Sequence, residues 1–174
     1  MVDIDLDELI TITEPTDLGS CSLAELRAVR DRYQEIEHGV SYVRRIVQGR
    51  LDTLSAEVER RSEGATENDL ITRLPQALAT HTRGPGLPRP ALALDPPAWT
   101  DELLARVDHI VAPSQLASLD QLDGDELASA LAAAVSSERS LSTTRQELHR
   151  RADRVQDALV ERYRGGASVD DLLQ

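Results

Sequence analysis

The chain has 174 residues, enough for one domain but not for several. One Trp, three Tyr and no Phe are too few aromatics for a compact enzyme with a deep apolar pocket, whereas abundant Leu, Ala, Arg, Glu and Asp is the composition of long helices and coiled coils. A net charge of −12 argues against direct nucleic-acid binding and favours a basic protein surface, such as the DNA-binding face of a transcription factor.

Residues 1–21 form an acidic arm in which Val2, Ile4 and Leu6 alternate with Asp3, Asp5 and Asp7. The arm is either a loose terminus or a segment that orders on a partner. It has no basic stretch followed by an apolar one, and no apolar run in the chain approaches the roughly 18 residues that span a membrane. With Cys21 as the single cysteine, a disulfide framework is excluded and a cytoplasmic protein is expected.

Residues 22–64 read as a long helix, which Ser22-Leu23-Ala24-Glu25 opens as a capping box. Leu26, Val29, Tyr33, Ile36, Val40, Val43, Val47, Leu51, Leu54 and Val58 follow at steps of three and four, the pattern of a coiled-coil seam, and Gly64 stops it. Residues 65–122 are different. Thr66 heads a short helix interrupted near Pro75, a Pro/Gly-rich linker runs from His81 to Pro97, and Thr100 is placed as the cap of a helix reaching about Val111. One more turn is expected from Ser114 to Leu119. Residues 123–166 read as a second long helix with the seam Leu127, Ala130, Ala134, Ser137, Leu141, Thr144, Leu148, Ala152, Val155 and Leu159, ending at Gly165-Gly166. An acidic tail, 167–174, follows. The fold class is therefore all-α: an antiparallel coiled-coil hairpin with short helices and a Pro-rich linker between its arms.

The two long helices are an internal repeat at an offset of 101 positions. Glu37, Ser41, Arg44, Gln48 and Asp52 return as Glu138, Ser142, Arg145, His149 and Asp153, both in the pattern Glu-x3-Ser-x2-Arg-x3-Gln/His-x3-Asp. Such spacings keep all five side chains on one stripe of a helix, and each lies one position after a seam residue. A solvated coiled-coil flank needs only charge, so a Ser at a fixed place, with Gln or His after the Arg, recurring in register is read as a binding site. Both seams also carry two successive four-residue steps inside the motif, Val43–Val47–Leu51 and Thr144–Leu148–Ala152, which locally unwind a coiled coil. Equal helix lengths and central motifs favour an antiparallel hairpin, in which the motifs sit level, with Arg44 opposite about position 146 and Arg145 opposite about position 45.

The chemistry of the stripes suits a guanine nucleotide. An Arg fork matches guanine O6 and N7, an Asp accepts from N1–H and N2–H2, and Ser, Gln and His bond phosphate or ribose oxygens. Glu is oddly placed for an anionic ligand; it either orients an Arg or accepts from a base amine. Having the motif twice implies a ligand with two equivalent halves or two copies of one ligand, and a two-fold guanine ligand with two phosphates is cyclic di-GMP.

The pattern resembles the cyclic di-GMP signature of the RsiG anti-sigma factors, which restrain the sporulation sigma factor WhiG. Motif 1 matches at every position and motif 2 departs once, with His149 for Gln. The resemblance covers the two long helices. It implies a cyclic di-GMP dimer on the hairpin, held by all ten motif residues, and a WhiG-like sigma factor bound in that state.

The alternative is a structural adaptor that bridges proteins without a ligand. An enzyme is poorly supported, since His38, His81, His109 and His149 have no metal-ligand spacing with each other or with Cys21, and no P-loop or nucleophile-elbow motif occurs. No catalytic or metal site and no cofactor is expected. Trp99 is read as anchoring the short helix onto the hairpin, and Gly39 and Gly49 as either points of close approach or tolerated surface positions.

Overall fold

A computed structural model describes residue 15 and residues 17–64 and 95–165. The arm before residue 15, the 65–94 part of the linker region, with the helix expected from Thr66 and most of the Pro-rich stretch, and the acidic tail all lie outside these residues. Among the described residues there are four α-helices: α1 (Leu23–Ser62), α2 (Thr100–Ile110), α3 (Pro113–Leu116) and α4 (Gly124–Arg164). A 3-10 turn, Leu119–Gln121, precedes α4, and no strand occurs among the described residues.

Both long helices start with the same device. Ser22 Oγ accepts from the Glu25 amide (3.2 Å) while the Glu25 carboxylate accepts from the Ser22 amide (2.7 Å). In α4, Asp123 accepts from the Glu126 amide (2.8 Å) and Glu126 from the Asp123 amide (2.9 Å). These reciprocal bonds satisfy backbone donors that a helix start leaves open. The two ends differ. Gly64 has φ 66°, a left-handed conformation that favours glycine, whereas Gly165 has φ −75° and is reached by ordinary helical geometry.

The long helices run antiparallel. Arg27, near the start of α1, donates to the Tyr163 hydroxyl at the end of α4 (2.6 Å), and Arg61, at the end of α1, donates to the carbonyls of Leu122 (2.8 Å) and Leu119 (2.6 Å) just before α4. The apolar seams meet between them. Ile36, Val40, Val43 and Val47 are buried with Leu141, Leu148, Val155 and Leu159, and α2 adds Leu103 and Val107 to the same cluster. A second cluster of Leu54, Val111, Leu119, Leu127 and Ala134 closes the end where α3 and the 3-10 turn lie. Ser137 and Thr144 are buried in the seam, and each hydroxyl donates to a carbonyl of its own helix, Ala133 (2.9 Å) and Ser140 (3.1 Å), so neither polar group is left unmet.

Two sequence expectations are corrected. The apolar spacing puts Val58 in the seam, but it is 37% exposed, while Glu57 beside it is 1% exposed. The last turns of α1 face the segment before α4, and the Glu57 carboxylate is met there by Arg60 (2.7 Å) and Arg61 (2.6 Å), the latter also holding the Leu119 and Leu122 carbonyls. Thr100 is not a cap. Trp99 stands at the cap position with helical angles, and Thr100 is fully buried with its hydroxyl donating to the Pro97 carbonyl (2.7 Å).

Helix α2 is fastened to the back of α1. The Trp99 ring lies over Gly39, where a Cβ would come within 2.3 Å of Cζ2, so the glycine makes room for the indole. Arg50 donates to the Val111 carbonyl (2.7 Å) and pairs with Asp108. Residues 39 and 50 fall on roughly the opposite side of α1 from residues 37, 41, 44, 48 and 52, given 3.6 residues per turn. The face bearing the motifs is thus the one that α2 leaves uncovered.

Candidate ligand-binding site

Antiparallel packing brings the two motif stripes along the two borders of one face. Their side chains converge in two clusters. In the first, Oε1 of Glu37 accepts from Ser41 Oγ (2.7 Å) and Arg145 Nε (2.8 Å), with His149 Nε2 at 3.3 Å. In the second, Oε1 of Glu138 accepts from Ser142 Oγ (3.0 Å), Arg44 Nε (3.0 Å) and Nη2 (2.9 Å), and Gln48 Nε2 (3.2 Å). Each arginine also donates from Nε to the serine of its cluster, Arg145 to Ser41 (2.9 Å) and Arg44 to Ser142 (2.8 Å).

The clusters exchange partners. Glu and Ser come from one motif; Arg and Gln or His come from the other. Exchange in both directions gives the face a pseudo-two-fold axis, broken in sequence only by Gln48 against His149. Arg44 reaches across to Glu138 and Ser142, while Arg27 of α1 meets Tyr163 of α4 at the far end of the hairpin.

Glu37 and Glu138 are 24% and 22% exposed, so these are half-buried pairs rather than freely solvated ones. Burial works against the Glu37 carboxylate, but hydrogen bonds from Ser41 and Arg145 and the charges of His149 and Arg145 outweigh it and hold the group below the usual carboxylate range. Asp52 and Asp153 end the stripes, one turn beyond Gln48 and His149. Since the helices run oppositely, the aspartates lie toward opposite ends of the face, Asp52 half-buried and Asp153 exposed. Eight of the ten predicted site residues are thus gathered into the clusters and two flank them.

A model of the RsiG-like family matches residues 12–78, a stretch that contains α1 and the whole of motif 1. The first long helix is RsiG-like. That match supports an anti-sigma factor role, hence a sigma factor as partner and a regulatory rather than catalytic task. No curated protein matches the chain. The RsiG-like segment covers less than half of the chain and stops short of α4, so motif 2 rests on the internal repeat and on its exchange of partners with motif 1.

The repeat extends beyond the motifs. Arg61 and Arg162 occupy equivalent positions. Arg61 holds the carbonyls of Leu119 and Leu122 before α4, and Arg162 holds the Gly19 carbonyl before α1. The offset of 101 pairs these two arginines, but no side-chain pattern in the sequence records their role, because each partner is a backbone carbonyl. Among the described residues no group of His, Cys, Asp and Glu is arranged to hold a metal, and no helix is long and apolar enough to cross a membrane.

Proposed function

We propose that this chain is a cytoplasmic anti-sigma factor that binds cyclic di-GMP, as a dimer of the nucleotide, on the paired stripes and in that state sequesters a WhiG-like sporulation sigma factor. The observation that carries the ligand assignment is the exchange of partners on the face that α2 leaves uncovered: two arginines, two serines and a Gln/His pair meet in a two-fold arrangement. A ligand with two phosphates and two guanines has the same symmetry. Arg44 and Arg145 suit guanine O6 and N7, Asp52 and Asp153 suit N1–H and N2–H2, and Ser41, Ser142, Gln48 and His149 suit phosphate or ribose oxygens.

The ligand then lies across both helices and fixes their relative rotation, so that a partner meets one surface instead of a family of them. The net charge of −12 complements the basic faces with which a sigma factor meets DNA and polymerase. By linkage, the sigma factor tightens ligand binding by the factor with which the ligand tightens sigma binding. Titration of a WhiG-like sigma factor at fixed ionic strength, without ligand and with saturating cyclic di-GMP, tests this directly. Tight binding only in the second titration supports the proposal; equal affinities make the chain a ligand-independent adaptor.

A further inference from the structure

We infer that Glu37 and Glu138 are the selectivity residues of the paired stripes: each fills a cage of donors that suits any phosphate oxygen, and so denies the cage to simple polyanions. The choice of cyclic di-GMP as favoured ligand rests on the proposal above; the exclusion of other anions does not. In each cluster a hydroxyl, an arginine and an amide or imidazole nitrogen converge on one carboxylate oxygen, within 2.7 to 3.3 Å for Glu37 and 2.9 to 3.2 Å for Glu138. Three donors around one anionic oxygen is also the environment of a bound phosphate oxygen. Without the carboxylates, Arg44 and Arg145 would form a positive pair open to pyrophosphate and mononucleotides alike.

With them in place, an incoming anion must displace a group tethered a few bonds away, whose effective concentration is high. A pure acceptor such as pyrophosphate gains the arginine but leaves a half-buried carboxylate facing it without a donor, and the repulsion opposes binding. A ligand that brings N–H donors together with its phosphates gives the displaced carboxylate a new partner, and a cyclic di-GMP dimer has four guanine edges, two beyond those that suit Asp52 and Asp153. The glutamates therefore act against the wrong ligand more than for the right one.

The test is calorimetric binding of inorganic pyrophosphate to the full chain, as wild type, Glu37→Gln, Glu37→Gln/Glu138→Gln, and the control Glu35→Gln/Glu161→Gln. The control makes the same change in charge on α1 and α4 away from this face. We expect the double Gln variant to gain at least about tenfold in pyrophosphate affinity, as removal of a unit charge beside the anion requires, and the control to stay within about twofold of wild type. Glu37→Gln leaves the Glu138 cluster whole, and helical circular dichroism establishes that it is folded; a gain at one cage supports the inference even if the double variant fails to fold. No gain in folded Glu37→Gln and the double variant, or an equal gain in the control, overturns it. Cyclic di-GMP is titrated in parallel. If wild type does not bind it, the proposed function fails, while a pyrophosphate gain confined to the Glu37 and Glu138 variants still establishes the cages.

Discussion

Arg145 on α4 donates through Nε to Glu37 on α1 at 2.8 Å, a contact between residues 108 positions apart that ties the two halves of an internal repeat to each other. Arg44 and Glu138 form its mirror contact at 3.0 Å. Arg44→Ala or Arg145→Ala leaves a half-buried carboxylate without its cation, and each is expected to lower ligand-free stability by about 1–3 kcal/mol. Urea unfolding followed by circular dichroism measures the loss. A change within about 0.5 kcal/mol, the range of ordinary surface substitutions, would reduce both pairs to surface decoration.

For the ligand, Arg44→Ala and Asp52→Ala should each weaken cyclic di-GMP binding by about 1–3 kcal/mol, the range for a good base-reading contact. Arg44→Ala and Arg145→Ala together should be non-additive, since both grip one ligand assembly. Calorimetry on the single and double variants decides. Two separate isotherms with independent losses would mean two unrelated sites.

The acid limb of stability follows from Glu37. Its carboxyl is held below its ordinary value of 4.5, burial being outweighed by Ser41, Arg145 and His149, so its contribution is complete above that value and is lost as pH falls through the lowered one. Glu57 acts in the same sense, lowered first by its hydrogen bond from Arg60. Melting temperatures between neutral pH and pH 3 should therefore fall mainly below about pH 4.5, and Glu37→Gln should flatten part of that fall. An unchanged profile in the variant would show that Glu37 contributes nothing to acid unfolding.

Two glycines in one helix make opposite predictions. At Gly39 a Cβ would sit 2.3 Å from Trp99 Cζ2 and 2.8 Å from Thr100 Cγ2, so Gly39→Ala must push α2 off the hairpin. At Gly49 nothing lies within 4 Å of an added Cβ. Gly49→Ala should then raise stability by up to about 1 kcal/mol through helix propensity. Gly39→Ala should lower it by about 1–3 kcal/mol through overpacking, with a change in Trp99 fluorescence. Equal effects at the two positions would rule out the packing of Trp99 on Gly39.

Much of this architecture is written directly in the chain, because a coiled-coil seam imprints its period on the sequence and a capping box names its own helix start. The ten motif residues were legible for the same reason: their spacing alone lays each set along one flank. Their partners were not. Glu37 to Ser41 is a local step of four residues, but Arg145 meets them only across the hairpin, and no spacing within one helix records which side chains of the other it reaches. Val58 and Glu57 show the same limit at smaller scale. Apolar periodicity assigned the buried place to Val58, whereas Arg60 and Arg61 make it tolerable for the carboxylate.

The end contacts of Arg61 and Arg162 have a mechanical consequence. Each long helix is tied near its C-terminus to the chain entering the other, while Arg44 and Arg145 tie the middle. Sliding one helix past the other by a turn, about 5.4 Å, would break all four arginine contacts at once. Such a hairpin cannot store a signal as translation. What stays soft is torsion about its long axis, since the consecutive four-residue steps in each seam favour local unwinding there. Any message written midway along the face must travel to the ends as twist.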